Sequence, residues 1–319
     1  MVPLSIPTRP PEPQMPRPSP NAAGALLALA AFGIFATHDA LIKSLAKTYS
    51  PIQIVFCIAL FSFPLLLVML ARDRVSGTLL PIHPRLMVFR GVSVAVSALS
   101  AFYAFSVLPL AQAYAILFST PLMITILAIP LLGERVGLRR ALAVCVGLCG
   151  VLVVLRPGSA DLSLGHLAAL TSATAGALNA IITRRIGRRE RSAVMLLYAM
   201  GGNFVLMGLA MPFVYVPMPG PDISVMIVIA VMAFAAMQLI IMAYRRGEAV
   251  IVAPMQYSQI LWASVYGALF FDELPTSTTL IGAGLVIASG VYILLRESNP
   301  RTSEIRPVLG PDNGKPPVL

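Results

Sequence analysis

Charged side chains inside long apolar runs are the residues of this chain most able to do chemistry. His38, Asp39 and Lys43 lie in one such run, and Arg90 lies in another. A charge among apolar groups is costly, so these groups usually face a cavity or one another. On a helix, Asp39 and Lys43 share a face because they are four residues apart, and they can neutralise each other there. His38 points elsewhere, and histidine as a residue type titrates near neutral pH.

Two interpretations of this first run follow. In one, His38, Asp39 and Lys43 form a polar gate or a coupling site that binds and releases a proton. In the other, Lys43 extends to an aqueous interface with Asp39 as its tether. Arg90 lies about one turn from the end of its run, which favours the same interfacial role for this arginine.

A second group of polar and aromatic residues lies near the end of the chain. By helical spacing Gln256, Gln259 and Tyr266 share one face, and Tyr257 and Trp262 lie nearby. Amides that hydrogen-bond ring edges and aromatics that stack on ring faces suit a planar, polar organic solute. The alternative is that the aromatic residues form an interfacial belt. The amides within the run favour a cavity lining.

An earlier segment is the counterpart of this group and contributes Tyr114 and Phe118 as candidate binding residues. Asn179 belongs to a stripe of small polar residues with Ser172 and Gly176, where close helix packing is the ordinary role. Within that stripe, Asn179 is the residue most able to contact a ligand. The three histidines lie in different segments, so the sequence predicts neither a metal site nor a cofactor.

Composition indicates the solvent around these residues. The chain is 58% hydrophobic and 11% charged, with a mean hydropathy of +0.86. A water-soluble chain of 319 residues cannot hide so much apolar surface, so the bilayer is the expected surrounding. Each span needs about 20 apolar residues, which predicts an all-α protein of ten transmembrane helices. Their predicted bounds are about 22–44, 51–71, 86–108, 110–132, 139–155, 164–183, 192–216, 222–243, 249–271 and 278–295.

Basic residues then predict the orientation. A cytoplasmic N-terminus puts nineteen of the 23 Lys and Arg residues on the cytoplasmic side. Both termini are therefore expected in the cytoplasm of a cell whose inner membrane holds the protein, with residues 1–20 as a disordered tail and residues 298–319 as a second cytoplasmic tail. The net charge of +10 reflects this topology and contact with anionic lipid, so nucleic acid is not an expected partner.

Two parts of the chain repeat one pattern, in which Glu134 matches Glu273 and Gly150 matches Gly290. The predicted halves are 21–158, with helices 1–5, and 159–297, with helices 6–10. Five spans per half invert one copy relative to the other. Inverted halves are typical of alternating-access transport, with a substrate site near the midplane between them.

Two structural roles are expected for residues of the repeat. A carboxylate near the start of a helix favours the positive end of its dipole, so both glutamates are predicted to be structural caps. Ala143, Gly147 and Gly150 are small residues at intervals of four and three, which predicts a close-packed helix surface.

The doubled pattern, with GE or DE followed by G-V-x-x-L, resembles the EamA repeat of the drug/metabolite transporter superfamily from about residue 24 to 296. The resemblance implies a carrier with two inverted five-helix halves and a central cavity. Residues 36–43 and 102–111 look most like a subgroup that contains riboflavin transporters and S-adenosylmethionine uptake carriers. The chain departs from the pattern at Phe271-Asp272, where Gly133 is expected to recur, so a second turn of different shape is expected.

Three classes of function compete for these observations. An intramembrane enzyme would need a nucleophile and base or a metal cluster, and a channel would need a repeated filter or charged ring. A carrier explains the repeat, the charge asymmetry and the buried amides, so we predict a secondary transporter and not an enzyme. Riboflavin import is the first substrate prediction. Export or exchange of amino acids or related metabolites, or S-adenosylmethionine uptake, is the alternative.

Overall fold

The computed structural model describes residues 20–72, 78–134, 136–157, 162–186 and 189–297, and within these ranges the regular structure is helical. The predicted tails, apart from Pro20, and the predicted boundary between the halves at 158–159 lie outside the described residues. The α-helices are α1 Pro20–Leu45, α2 Pro51–Arg72, α3 Pro84–Val107, α4 Leu110–Leu117, α5 Thr120–Leu132, α6 Leu138–Leu155, α7 Leu164–Ile186, α8 Ser192–Val214, α9 Gly220–Arg246, α10 Ala249–Val252, α11 Ser258–Phe270 and α12 Ser277–Glu297.

Eight segments of the described chain are long and apolar enough to cross a membrane. They correspond to eight of the ten predicted spans, so a multi-pass membrane protein is confirmed and the count of ten is not. The predicted span 164–183 lies within α7, whose 23 residues include His166, Asn179 and two terminal arginines. The predicted span 249–271 is interrupted.

Two predicted helices, 110–132 and 249–271, are broken near the middle, so the prediction of continuous helices there was wrong. The first breaks at Phe118-Ser119 between α4 and α5, just before Pro121. The second has a 3-10 segment, Ala253–Tyr257, that contains Pro254. A proline ring clashes with the carbonyl four residues earlier and removes an N–H donor, and Leu117 in that position is the last residue of α4.

The two halves pack on each other in a reciprocal way. Helix α1 of the first half packs on α9 of the second, and α7 of the second half packs on α3 of the first. The last helices of the halves, α6 and α12, also pack together. There a Cβ atom at Gly150 would lie 2.8 Å from the carbonyl oxygen of Gly282, so the predicted close-packed glycine surface is confirmed.

Helix α3 runs between the two ends of the bundle, and contacts at its start and after its end show which residues lie at each. Near its start, Arg90 Nε donates to Thr183 Oγ1 at 2.9 Å, beside Arg184 in α7. Directly after its end, the carbonyl of Leu108 accepts from Lys43 Nζ at 2.6 Å. Lys43 and Arg184 therefore lie at opposite ends, which we name the lysine end and the arginine end.

Candidate functional site

An ion pair between a buried lysine and a partly exposed glutamate lies at the lysine end. Lys43 Nζ lies 2.7 Å from Glu273 Oε1, and only 5% of Lys43 is exposed. The predictions that Lys43 neutralises Asp39 or reaches an interface were therefore wrong. The turns at Leu108 and Glu273 cover the end of α1, and a buried ammonium needs such partners.

Glu273 also accepts a hydrogen bond from the N–H of Leu110 at 3.3 Å. It thus caps the start of α4, a helix of the other half, in addition to pairing with Lys43. Glu273 was predicted to cap a helix, and it does cap one, but the prediction did not include the ion pair with Lys43.

The turn that carries Glu273 keeps the backbone shape of its counterpart. Asp272 has a φ of 53°, and Gly133, which precedes Glu134, has a φ of 69°. Both residues are left-handed, a conformation that Asp tolerates better than most residues because its short side chain hydrogen-bonds locally. The expectation of a differently shaped second turn was wrong at this residue, although Phe271 before it has a φ of −131° where Leu132 is still helical.

Beyond the end of α1, a hydrogen bond joins Tyr49 to the start of α9. The Tyr49 hydroxyl donates to Asp222 Oδ2 at 2.5 Å. This bond, together with burial and the charge of Asp222, raises the pKa of Tyr49 to about 12. The contact fixes the two helices at the lysine end.

A second buried cluster centres on Asp39. His38 Nδ1 lies 2.7 Å from Asp39 Oδ1, and the hydroxyl of Tyr114 donates to Asp39 Oδ2. Gln259 Nε2 donates to the Tyr114 oxygen at 3.3 Å. The prediction that His38 points away from its neighbour was wrong, because a buried carboxylate requires donors. The structure joins four predicted residues from both halves in one network.

Two aromatic rings meet at the helix breaks. Phe118 and Tyr257 each lie sixteen residues before the glutamate of their half. Their ring centroids are 5.0 Å apart and the planes are nearly perpendicular, at 84°. Equivalent positions can touch in this way only near the axis that relates the two halves. These two predicted binding residues therefore mark the centre of the molecule.

The arginine end holds a second set of ion pairs. Arg184 Nη1 lies 2.9 Å from Glu134 Oε1, and Arg140 Nη1 lies 4.0 Å from Glu134 Oε2. Arg140 Nη2 also donates to Thr125 Oγ1 at 3.0 Å. Glu134 was predicted to be a helix cap, but among the described residues its carboxylate instead joins α6 and α7 through two arginine side chains.

Arg90 and Glu190 brace the arginine end. Arg90 donates to Thr183 and to the carbonyl of Met195, so it joins α3 to α7 and α8, and its interfacial role stays a prediction. Glu190 Oε1 accepts the backbone N–H of His83 at 2.7 Å. Burial raises the pKa of Glu190, but backbone donation from His83 and Ile82, with the His83 side chain, outweighs it and holds this pKa below its ordinary value.

A cavity of about 190 Å³ lies beside Arg140. Its polar lining comes from Thr125, Arg140, Gln256 and Tyr257, and apolar residues of α5 and α12 complete the wall. Gln256 and Tyr257 are therefore the predicted binding residues that line it. Arg140 and Thr125 were missed because neither stands out in sequence: Arg140 follows another arginine at a helix start.

Trp262 and Asn179 lie away from this cavity. The Trp262 ring stacks on Tyr266 at 6.2 Å and faces Gly33, and 40% of the residue is exposed. Asn179 has a buried Oδ1 without a hydrogen-bond partner among the described residues. Gln259 bonds Tyr114 instead of lining the cavity, so the structure divides the predicted binding residues among several places.

No group of three or more His, Cys, Asp or Glu residues suited to a metal ion occurs in the part of the chain that the structure describes.

Known proteins resemble this chain over most of its length. An S-adenosylmethionine uptake transporter of Rickettsia bellii is 24% identical over 72% of this chain and 79% of its own. The pseudopaline exporter CntI of Pseudomonas aeruginosa is 25% identical over 85% of this chain and 95% of its own. A riboflavin transporter of Rhizobium johnstonii is 27% identical over 59% of this chain and 63% of its own.

The fold also has a solved counterpart. One crystal structure has a TM-score of 0.59 and 18% identity, and the match covers 86% of this chain and 98% of the other. The EamA-like transporter family matches residues 22–156 and, a second time, residues 163–296. The repeat seen in the sequence is thus a family domain used twice. The chain belongs to the EamA-like transporter family.

Proposed function

We propose that this chain is a secondary transporter that carries a small, polar organic metabolite across a bacterial inner membrane by alternating access. The observation that carries the proposal is a matched set of ion pairs at opposite ends. Lys43 of α1 pairs with Glu273, and Arg184 of α7 pairs with Glu134. Each cation lies two residues before the end of the first helix of its half. Each glutamate belongs to the turn after α5 or α11 in the other half.

Two equivalent contacts at opposite ends suit a carrier whose halves rock against each other. Release of one pair opens a path to one side of the membrane, while the other pair keeps the second side closed. A substrate changes the balance between these states only by the difference in its affinity for them. The aromatic contact between Phe118 and Tyr257 lies between the two ends, where such a substrate would bind.

Proton coupling at Asp39 is part of the proposal. Asp39 is buried and contacts His38 and Tyr114, so gain or loss of a proton changes the hydrogen bonds that α1 makes to α4. Gln259 extends the network to α11 of the second half. Protonation would thereby bias the packing of one half against the other.

The orientation and the compartment are also proposed. The excess of basic residues at the arginine end and in the tails favours a cytoplasmic location for that end and for both termini.

Two substrate classes are proposed for test. Riboflavin is the first prediction from the sequence, and the Rhizobium johnstonii relative carries that name. Amino acids and related metabolites, including S-adenosylmethionine, are the second. The Rickettsia bellii relative and the named pseudopaline exporter support this class.

The test is uptake by vesicles that contain the purified full chain. Radiolabelled riboflavin and S-adenosylmethionine are offered separately, with and without an imposed pH gradient. Uptake of either probe above that of empty vesicles is expected, with dependence on the gradient. In parallel, a riboflavin auxotroph that expresses the chain is grown at limiting vitamin. No rescue despite membrane expression would remove riboflavin import and leave the carrier proposal intact.

A further inference from the structure

The cavity beside Arg140 has the chemistry of an anion site, and this inference rests on the transport function proposed above. We propose that Arg140, with Thr125, Gln256 and Tyr257, binds a carboxylate of the transported metabolite. The substrate class that follows is a carboxylate-bearing polar metabolite of the amino-acid type. A neutral flavin would leave the charge of the site unused.

The first support is the position of the guanidinium. Arg140 lies in the first turn of α6, lines the cavity and is only 9% exposed. Its neighbour Arg139 is exposed. A buried guanidinium is costly unless anions or hydrogen-bond acceptors surround it, and its planar fork matches a carboxylate with two parallel hydrogen bonds.

The second support is the distribution of charge at the arginine end. Glu134 lies 4.0 Å from Arg140 but 2.9 Å from Arg184, so its closer contact is with Arg184. Arg140 Nη2 is directed instead to the neutral hydroxyl of Thr125 at 3.0 Å. Two guanidinium groups therefore contact the Glu134 carboxylate, Arg184 more closely, and the Arg140 guanidinium also lines the cavity, where its positive charge attracts an anion.

The third support is the rest of the lining. Gln256 offers amide donors, and Tyr257 offers a hydroxyl and a ring face. Apolar side chains of α5 and α12 form the remaining wall. The volume of about 190 Å³ is smaller than that of most drug-sized sites, and it suits the polar head of a metabolite whose remainder extends toward the centre.

Gln256 and Tyr257 also connect this subsite with the helix break of the second half. They belong to the 3-10 segment, and Tyr257 contacts Phe118 at the centre of the molecule. A carboxylate held by Arg140 is therefore adjacent to the residues that separate the two halves. Binding there would bias the same contacts that must change during transport.

A matched pair of ligands tests the subsite without any substitution. Binding of S-adenosylmethionine and of its decarboxylated form to the purified full chain is measured by ligand-induced thermal stabilisation. The two probes differ by the carboxylate alone. The wild-type protein is expected to bind S-adenosylmethionine about tenfold more tightly or better, since a hydrogen bond to a charged group contributes about 1.5–3 kcal/mol. Equal affinities, or no binding of S-adenosylmethionine, would overturn the subsite.

Variants then assign the effect to one side chain. Arg140→Gln is expected to remove the preference for the carboxylate, and Arg140→Lys to keep part of it as a point charge without the planar fork. The control is Arg139→Gln, which changes the adjacent exposed arginine and is expected to leave both affinities unchanged. A preference that persists in a folded Arg140→Gln protein would contradict the assignment.

The outcomes separate the subsite from the carrier function. Vesicle uptake of either radiolabelled probe with the same KM in wild type and Arg140→Gln would overturn the subsite and leave the carrier standing. Carboxylate-dependent binding by a wild-type protein that transports neither probe would keep the subsite and contradict transport of riboflavin and of S-adenosylmethionine by this chain.

Discussion

Single residues in this chain derive their roles from partners that lie far away in sequence. Asp39 is the clearest case, because its contacts come from its neighbour His38 and from Tyr114, 75 positions along the chain. The sequence indicated that a charged side chain in this apolar run must face a cavity or a polar partner. It did not indicate which donors would satisfy the carboxylate, because these depend on how α1 and α4 approach each other.

Asp39→Asn is expected to abolish the pH dependence of uptake. The amide keeps the size of the side chain and loses the exchangeable proton that we assign to coupling. The measurement is vesicle uptake of the transported probe across a range of external pH. Glu248→Gln, at an exposed carboxylate that accepts a hydrogen bond from the Asn21 amide, is the matched control and is expected to retain the wild-type profile. An unchanged profile in Asp39→Asn would remove Asp39 from the coupling proposal.

Helices and turns supply the geometry that single residues cannot. The apolar runs predicted most of the helices to within a few residues, because burial in lipid demands long continuous hydrophobic segments. The breaks before Pro121 and at Pro254 were missed, since a proline shows only that a helix is disturbed and not how the chain continues. The pairing of Lys43 with Glu273 was missed for a related reason: their contact depends on the packing of one half against the other.

The contact between α1 and the turn after α11 is expected to control closure of the lysine end. Lys43→Glu and Glu273→Lys alone should each reduce uptake by about tenfold or more, because loss of a partner leaves a buried charge uncompensated, at a cost of about 3–5 kcal/mol. The double variant restores opposite charges and is expected to recover part of the activity. The measurement is initial uptake rate, normalised to the amount of folded protein.

One uptake result for the double variant Lys43→Glu, Glu273→Lys would contradict this prediction. A double variant no more active than the worse single variant would show that the two side chains act separately, and the gate would then lack its main support. Lys47→Glu, at a neighbouring exposed lysine, controls for a general change in charge at this end.

At the scale of the whole molecule, the repeat was the most predictive feature of the sequence. Matched glutamates predicted a repeated half, and the family domain occurs twice; the inversion of the halves was predicted from an odd number of spans in each. The equivalence of Lys43 and Arg184 was not predicted, although both lie at the same distance from the end of a corresponding helix. One is a lysine in an apolar run and the other belongs to a basic cluster, so sequence context concealed their common position.

The central claim is that the two ends open in turn, and reversible cross-linking tests it most directly. In a variant without the three native cysteines, one cysteine pair replaces Lys47 and Phe271 at the lysine end, and another replaces Arg185 and Leu132 at the arginine end. Neither pair removes a proposed gate residue. Uptake is measured before treatment with a short, cleavable bifunctional thiol reagent, after it, and after reduction.

Each cross-link alone is expected to stop uptake, and reduction is expected to restore it, because a carrier that cannot open one end cannot complete its cycle. Single-cysteine variants treated with the same reagent should keep their activity. Full uptake by a completely cross-linked protein, at either end, would contradict alternating access between these halves.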